Sequence, residues 1–150
     1  MNPPSASPVG AGTEQGGAGP GGVDRLGFAP GQVVQEFGYD EDVDDAFRLA
    51  VEDLCGTDLE DEDFTGEVDA VLLWWRADDG DLGDALVDTV GVLGDGGFVV
   101  LVTPKPGQDG VVQASEIDEA AVTAGLHAGG SANAGDAWRA TRLAGPKGRR

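Results

Sequence analysis

The stretch from Val68 to Lys105 constrains the fold more than any other part of the chain, because it holds two apolar runs separated by a helical pattern. The first run, VDAVLLWW, begins at Val68, and the second, FVVLV, begins at Phe98. Continuous apolar runs of this kind are typical of strands that are covered on both faces in a parallel sheet. The sequence therefore predicts two buried, neighbouring strands.

Between the two runs, apolar residues recur at steps of four and three, at Leu82, Leu86, Val90 and Leu93. This spacing predicts an amphipathic helix of about three turns. Gly96 and Gly97 are expected to end the helix. A strand, a crossover helix and a parallel strand make a right-handed βαβ unit.

Weaker patterns on either side predict the remaining elements. They are a strand at Gln32–Phe37, a helix at Val43–Leu54, a brief edge strand near Leu59–Phe64, a helix that Ser115 caps and that runs to Gly125, and two closing strands at Leu126–Asn133 and Ala137–Leu143. The closing strands are expected to be antiparallel to the rest, with Trp138 and Leu143 packed inward. The fold class predicted is α/β, a small three-layer Rossmann-like domain with a mostly parallel sheet.

Composition divides the chain into three parts. Residues 1–22 are mainly Gly, Pro, Ser and Ala, and such a segment cannot bury enough surface to offset the entropy lost on ordering. We predict a disordered tail at 1–22, a single domain at 23–145 and a short basic tail at 146–150. The central part is long enough for one hydrophobic core and too short for two.

Charge excludes two classes of partner. The formal net charge is -19, from 28 Asp and Glu against 9 Lys and Arg. A body this acidic repels phosphate backbones and anionic lipids, so neither nucleic acid nor a membrane surface is expected to bind. Cys55 is the single cysteine, which leaves no intramolecular disulfide, and the N-terminus has no signal-peptide pattern. The expected location is the cytoplasm.

An acidic run suggests a divalent metal at first sight. Its members are Asp40, Glu41, Asp42, Asp44 and Asp45. An EF-hand loop counted from Asp40 needs Gly where Asp45 stands and Glu where Val51 stands, so the run is interpreted as helix capping and no metal site is predicted. His127, the single histidine, follows a helix end and is not expected to be catalytic. Cys55 is interpreted as a small buried hydrophobe whose pKa is raised.

A candidate binding site lies where the predicted parallel strands end. Adjacent residues on a strand face opposite sides, so one of Trp74 and Trp75 should pack in the core while the other borders the crevice in which α/β sheets bind ligands. Arg76 and Lys105 would add a local positive charge suited to an anion. The predicted site residues are Gly38, Tyr39, Asp40, Trp74, Trp75, Arg76, Thr103 and Lys105. No general base or other catalytic residue stands out among them.

Several segments together carry a family resemblance. They are RLGFAPGQVVQEFGYDEDVDD, VDAVLLWWRADDGDLGDALVDTVGVLGDGGFVVLVTPK, DEAAVTAGLH and WRATRLAGPK. With these segments the chain resembles a family of short acidic actinobacterial proteins known only as a domain of unknown function. That resemblance implies a source group and no activity.

A more distant resemblance concerns the LGDGG turn and FVVLVTPK, which are similar to the end of class I S-adenosylmethionine-dependent methyltransferases. Such an enzyme needs a glycine-rich turn after its first strand and a later acidic residue for the ribose hydroxyls. Here the turn keeps only Gly38, followed by Tyr39 and Asp40, and no second βα unit of normal length follows to present the acid. The resemblance implies a cofactor site that has been cut back.

These observations favour a non-enzymatic binding or regulatory module that recognises a protein partner or a small anionic ligand at the carboxyl end of its sheet. The first alternative is a reduced methyltransferase-like enzyme or sensor that still holds S-adenosylmethionine. The second is an acidic surface that mimics nucleic acid toward a basic protein. No cofactor is required by the leading interpretation, and the oligomeric state is not predicted.

Overall fold

A computed structural model describes residues 22–145 and contains a five-stranded sheet with three helices. The strands are β1 (Val34–Phe37), β2 (Val68–Trp74), β3 (Leu93–Pro104), β4 (His127–Asn133) and β5 (Trp138–Ala144), and the helices are α1 (Asp45–Cys55), α2 (Leu82–Val90) and α3 (Ala114–Thr123). The strand order is β1-β2-β3-β5-β4, in which β1, β2 and β3 pair in parallel, and β5 pairs antiparallel with both β3 and β4. The α/β class and one antiparallel closing strand, β5, are confirmed. The second closing strand, β4, pairs antiparallel with β5 and therefore runs in the same direction as β1–β3, contrary to the expectation for both closing strands. The predicted tails lie outside the described residues, apart from Gly22.

The central strand, helix and parallel strand are confirmed, but the predicted end of the helix is wrong. Helix α2 stops at Val90 with Gly91 as its C-cap, and Leu93 already pairs with Val68. The pairing then shifts, because β3 advances from Leu93 to Phe98 while β2 advances from Val68 to Ala70. Gly96, with φ of 76°, lies in this bulge rather than at a helix end.

Helices cover both faces of the sheet, which gives the predicted three layers. On one face, α1 packs over the alternate strand residues that include Ala70, Leu72 and Trp74. On the other face, α2 and α3 pack over Val71, Leu73 and Leu101. We call these the α1 core and the α2–α3 core. Trp138 and Leu143 are both buried as expected, one in each core.

The acidic run caps α1 as the sequence predicted, whereas the N-terminus of α3 differs from the expectation. Asp44 caps α1, since its carboxylate accepts a hydrogen bond from the backbone N–H of Phe47 at 2.8 Å. The N-cap of α3 is Gln113 and not Ser115, and it makes no side-chain hydrogen bond to the helix. Ser115 instead lies in the first turn of α3.

A single residue in the acidic link after α1 changes the topology of the sheet. The predicted edge strand at Leu59–Phe64 is reduced to Glu60, which forms one parallel bridge to Gln35. Backbone hydrogen bonds of 2.8 Å join Glu60 to Val34 and Glu36 on the outer side of β1. After β1 and α1, the chain therefore pairs at Glu60 with the outer side of β1. It then crosses to form β2 on the opposite side of β1. This reversal makes the carboxyl end of β1 a topological switch point, the place where α/β sheets bind ligands.

Within residues 22–145, no helix is long and apolar enough to cross a membrane.

Candidate functional site

A cavity of about 510 Å³ lies at the carboxyl ends of β1 and β2, beside α2. We call it the β1–β2 pocket. Its walls contain six of the eight predicted site residues, namely Gly38, Tyr39, Asp40, Trp74, Trp75 and Arg76. They are joined by Phe37, Glu62, Leu73, Asp79, Ala85, Asp88, Thr89 and Val92. Its volume falls in the range of small-molecule sites.

The other two predicted residues lie elsewhere. Thr103 lines a second cavity of about 620 Å³ under the N-terminus of α3, which we call the α3 pocket. Lys105 is not among the residues that line either cavity. The reason is that β3 extends to Pro104, past Trp74 at the end of β2, so its end lies beside β5 and α3.

The two tryptophans divide as predicted. Trp74 is fully buried in the α1 core, where its ring meets those of Phe47 and Trp138 edge to face, with centroids 6.0 and 5.0 Å away. Trp75 is half-buried and packs against the α2–α3 core. Its buried indole N–H finds no acceptor within residues 22–145. Trp75 thus carries an unpaired, enclosed donor beside the pocket.

Arg76 is not the free cation that the sequence suggested. Its guanidinium is paired with the carboxylate of Asp42 through two nitrogens and donates to the carbonyl of Gly38 at 2.8 Å. It also lies 3.5 Å from the Asp79 carboxylate and 5.2 Å from the centroid of the Trp138 ring. Arg76 therefore holds the end of β1 to the end of β2.

The pKa values of this ion pair follow from its contacts. Burial alone would lower the pKa of Arg76, but the hydrogen bond and charge of Asp42 outweigh it and the pKa is raised. The hydrogen bond from Arg76 lowers the pKa of Asp42, against a smaller opposing effect of burial. Both groups are charged at neutral pH.

A second ion pair supports the pocket from the α1 side. The carboxylate of Glu36, which is 6% exposed, accepts hydrogen bonds from Arg48 at 2.6 and 2.8 Å and from the Trp74 indole at 2.8 Å. The Arg48 guanidinium also lies 4.8 Å from the centroid of the Tyr39 ring. Tyr39 is half exposed, yet this stacking anchors it at the mouth of the pocket.

Gly38 is required by the chain itself. Its φ is 80°, and a Cβ added there would clash with the carbonyl oxygen of Trp74. Only glycine allows β1 to turn this close to β2. The β1–β2 contact alone accounts for glycine at this position.

Glu62 is the site residue that sequence reasoning missed. It follows the Glu60 bridge, lines the β1–β2 pocket, and accepts a hydrogen bond from the Gly38 N–H at 2.9 Å. Contrary to expectation, an acid is thus presented beside the first strand, 24 residues after Gly38. Dinucleotide sites have an acid about 20 residues after the glycine turn. The separation of 24 residues between Gly38 and Glu62 was the signal that the sequence offered for this acid. The bridge at Glu60 involves a single residue, which leaves no strand pattern in the sequence.

The β1–β2 pocket is acidic. Four carboxylates, those of Asp40, Glu62, Asp79 and Asp88, line it together with one guanidinium. That guanidinium, Arg76, is already paired with Asp42. The potential inside the pocket consequently favours positive charge.

The remaining candidates lie outside this pocket. Among the described residues, no three His, Cys, Asp or Glu side chains are grouped so that they could hold a metal ion. His127 is exposed at the start of β4. Cys55 is 2% exposed, and burial raises the pKa of its thiol, in agreement with the interpretation as a buried hydrophobe.

Comparison with solved structures shows the fold. The chain is similar to an O-methyltransferase of neocarzinostatin biosynthesis in complex with S-adenosyl-L-homocysteine and 1,4-dihydroxy-2-naphthoic acid, with a TM-score of 0.60 and 12% identity over 84% of the chain. It covers 53% of that enzyme, about half its length. It is also similar to an S-adenosylmethionine-dependent methyltransferase from Aquifex aeolicus, with a TM-score of 0.56 and 12% identity, and covers 86% of it. The fold is methyltransferase-like and Rossmann-type.

Comparison with other sequences shows the family. The chain is 51% identical over 125 residues to the uncharacterised proteins Rv2239c of Mycobacterium tuberculosis and Mb2263c of Mycobacterium bovis, which covers 83% of the chain and 78% of each relative. These relatives are actinobacterial, as the resemblance implied. The model of a family described as a protein of unknown function, DUF3052, matches residues 23–147. The chain therefore belongs to the DUF3052 family.

Proposed function

We propose that this protein is a binding module that holds a positively charged ligand in the β1–β2 pocket. The observation that carries the proposal is the set of four carboxylates around an aromatic-walled cavity at the switch point of the sheet. Cationic groups are attracted both by carboxylates and by the faces of aromatic rings. Tyr39 and Trp75 provide such rings at this position.

The charge of the pocket favours a cation over the anion that the sequence suggested. An anion would need Arg76 to leave Asp42 and Asp79, and it would then lie among carboxylates. Because Asp42 is more than half exposed, separating the pair costs only about 1 kcal/mol, so the main obstacle to an anion is repulsion from the four carboxylates. A protein partner could also supply the positive charge that the pocket favours, by inserting a lysine or arginine side chain.

The composition of the pocket favours binding over catalysis. Its walls contain no His, Cys, Ser or Lys, the residue types that most often act as nucleophile or proton carrier. The hydroxyl of Thr89 is buried and donates to the Leu86 carbonyl at 2.8 Å, so it is already engaged. Glu62 and Asp79 already accept the backbone N–H groups of Gly38 and Arg76. A carboxylate has further lone pairs, and these, with those of Asp40 and Asp88, can neutralise and orient a bound cation.

S-adenosylmethionine is the second candidate, as ligand of a reduced methyltransferase-like enzyme or sensor. Glu62 favours it, because this carboxylate lies beside the first strand at a position suited to ribose hydroxyls. The methyltransferase-like fold supports it as well. The sulfonium group of this cofactor is positively charged, which agrees with the charge of the pocket.

Calorimetric titration with S-adenosylmethionine and S-adenosylhomocysteine tests the cofactor. The two ligands differ in charge at sulfur, so a pocket that selects cations should bind the first more tightly. The variant Glu62→Gln should weaken binding about tenfold, since a charged acceptor is replaced by a neutral one. Glu119→Gln is the matched control, because Glu119 is an exposed acid outside the pocket. Absence of heat with both ligands would eliminate the cofactor candidate.

The broader proposal needs a probe that is independent of the cofactor. We would titrate arginine amide, a cation, and acetate, an anion, while recording amide and indole shifts by NMR. The proposal predicts saturable shifts at Gly38, Glu62 and the Trp75 indole with arginine amide only. Equal shifts with acetate, or none with either probe, would contradict it.

A further inference from the structure

The α3 pocket is a separate cavity on the α2–α3 side of the sheet, beyond the end of β3. Its walls combine an apolar part with hydroxyl and charged groups. The polar residues that line it are Thr103, Gln113, Asp118, Ser131, Arg139 and Thr141. Only Thr103 belongs to the site that the sequence predicted, and the cationic ligand proposed above does not involve this cavity.

Strand register places three of these side chains together. Thr103 of β3 is directly opposite Arg139 of β5, and Leu101 is opposite Thr141. Opposed residues in an antiparallel ladder direct their side chains to the same face. Because Leu101 belongs to the α2–α3 core, this is the face that α3 covers. Ser131 of β4 is opposite Thr141 and extends the cluster by one strand.

The N-terminus of α3 points into the same cavity. Gln113 and Ala114 line it, and Gln113 offers no side-chain acceptor to the helix. The first N–H groups of a helix have no intrahelical partner and carry the positive end of its dipole. Helices α1 and α2, by contrast, are capped by the carboxylates of Asp44 and Asp81.

Thr103 places a hydroxyl at the buried wall of this cavity. It is 3% exposed and lines the cavity. Within residues 22–145, the hydroxyls of Thr57, Thr89 and Thr123 donate to backbone carbonyls, whereas that of Thr103 makes no such bond. Its oxygen is not among the fully enclosed polar atoms that lack a partner, so it is open to the cavity. A hydroxyl at the wall of a cavity is available to donate to a ligand oxygen. Arg139 likewise forms no ion pair in this part of the chain.

From this geometry we propose that the α3 pocket binds the phosphoryl group of a small phosphorylated molecule. A guanidinium, hydroxyls and the N–H groups of a helix N-terminus are the donors that proteins use for phosphate oxygens. The cavity has the volume of a small-molecule site, and Pro104, Pro106 and Ile117 form an apolar wall for the organic part of the ligand. Asp118 is the one carboxylate among the lining residues and opposes the anion.

The test is an NMR titration of the full chain with inorganic phosphate and with glycerol phosphate, at constant ionic strength. The amides of Thr103, Ala114, Ser115 and Thr141 should shift and saturate, with glycerol phosphate bound more tightly than phosphate. Acetate is the control for a site that accepts any anion. Shifts that do not saturate, or equal saturation with acetate, would overturn the proposal.

Three variants make the test specific. Arg139→Gln should weaken phosphate binding at least about tenfold, because a charge-assisted contact is lost. Arg25→Gln removes an equal charge from an exposed position outside the cavity and should change little. Asp118→Asn should tighten binding, since it removes the opposing charge.

A fourth variant separates binding from folding. Gln113→Asp places a capping carboxylate over the first turn of α3, so the helix is stabilised while its N–H groups are occupied. We expect a melting temperature that is unchanged or raised and a complete loss of phosphate binding. Retained binding in Gln113→Asp and Arg139→Gln would exclude this site. Phosphate binding in the α3 pocket does not depend on Glu62, which lines the other cavity. A negative result here therefore does not affect the proposed cation site, and a negative result at the cation site does not affect this proposal.

Discussion

At the scale of single residues, the structure depends on charges that are paired close to aromatic rings. The carboxylate of Glu36 lies below the surface and is satisfied by Arg48 and the Trp74 indole. Arg76 joins Asp42 to the carbonyl of Gly38 above the ring of Trp138. Two residues that sequence reasoning left out, Glu36 and Arg48, thus support the site from below.

Replacing Arg48 by methionine should destabilise the protein by about 3 kcal/mol, because it leaves Glu36 buried without its cation. Urea denaturation measures the loss. The double variant Arg48→Met with Glu36→Gln is the control, since a neutral amide can still accept from the Trp74 indole. It should recover part of the stability. A loss below about 1 kcal/mol in the single variant would mean that Glu36 is solvated.

The Asp42–Arg76 pair should make stability depend on pH in a defined direction. The pKa of Asp42 is lowered from 3.8 by its bond to Arg76, so its contribution is complete above 3.8 and is lost as pH falls through the folded-state pKa. Asp42→Asn should cost no more than about 1 kcal/mol at pH 7, because Asp42 is more than half exposed. The gap between wild type and variant should close in acid. A gap that persists at pH 2 would contradict this assignment.

At the scale of the elements, the turn after β1 is the critical connection. Both Gly38 and Gly31 have positive φ, of 80° and 88°, but only at Gly38 would an added Cβ clash, with the end of β2. Gly31→Ala should therefore cost about 1 kcal/mol for backbone conformation alone. Gly38→Ala should cost clearly more, since the clash must also be relieved. Thermal unfolding compares them, and equal losses would show that the β1–β2 contact yields easily.

The single bridge at Glu60 is the second feature that depends on contact between elements. It creates the switch point and brings Glu62 to Gly38. The acidic link LEDEDFTGE has neither the length nor the alternation of a strand, so the sequence could predict only a brief edge segment. The segment around Glu60 takes up its extended pairing because β1 is beside it, and its own sequence does not favour a strand.

At the scale of the whole molecule, the net charge of -19 dominates behaviour in solution. Repulsion among like charges destabilises the compact state, and salt screens it. Raising sodium chloride from low to physiological concentration should therefore raise the urea midpoint. Chloride is used because sulfate strengthens hydrophobic burial by itself. A midpoint that falls with salt would mean that the ion pairs of Arg48 and Arg76 outweigh the general repulsion.

The sequence by itself determined the fold class and most of the candidate site. The apolar runs at Val68 and Phe98 and the helical spacing from Leu82 indicate strand, helix and strand, because burial on two faces or on one stripe leaves a periodic pattern. The carboxyl ends of neighbouring parallel strands lie at the same edge of a sheet. For this reason the sequence could predict that Gly38, Tyr39 and Arg76 lie close together.

Tertiary structure alone decided the charge of the site and the separation of Thr103 from it. Whether Arg76 is free or paired depends on where Asp42 lies, 34 residues away, and no local pattern encodes such a contact. The same holds for Glu62 beside Gly38 and for Thr103 opposite Arg139, since register is fixed by the packing of the whole sheet. Local periodicity identifies which residues are buried, whereas long-range pairing decides which polar groups meet.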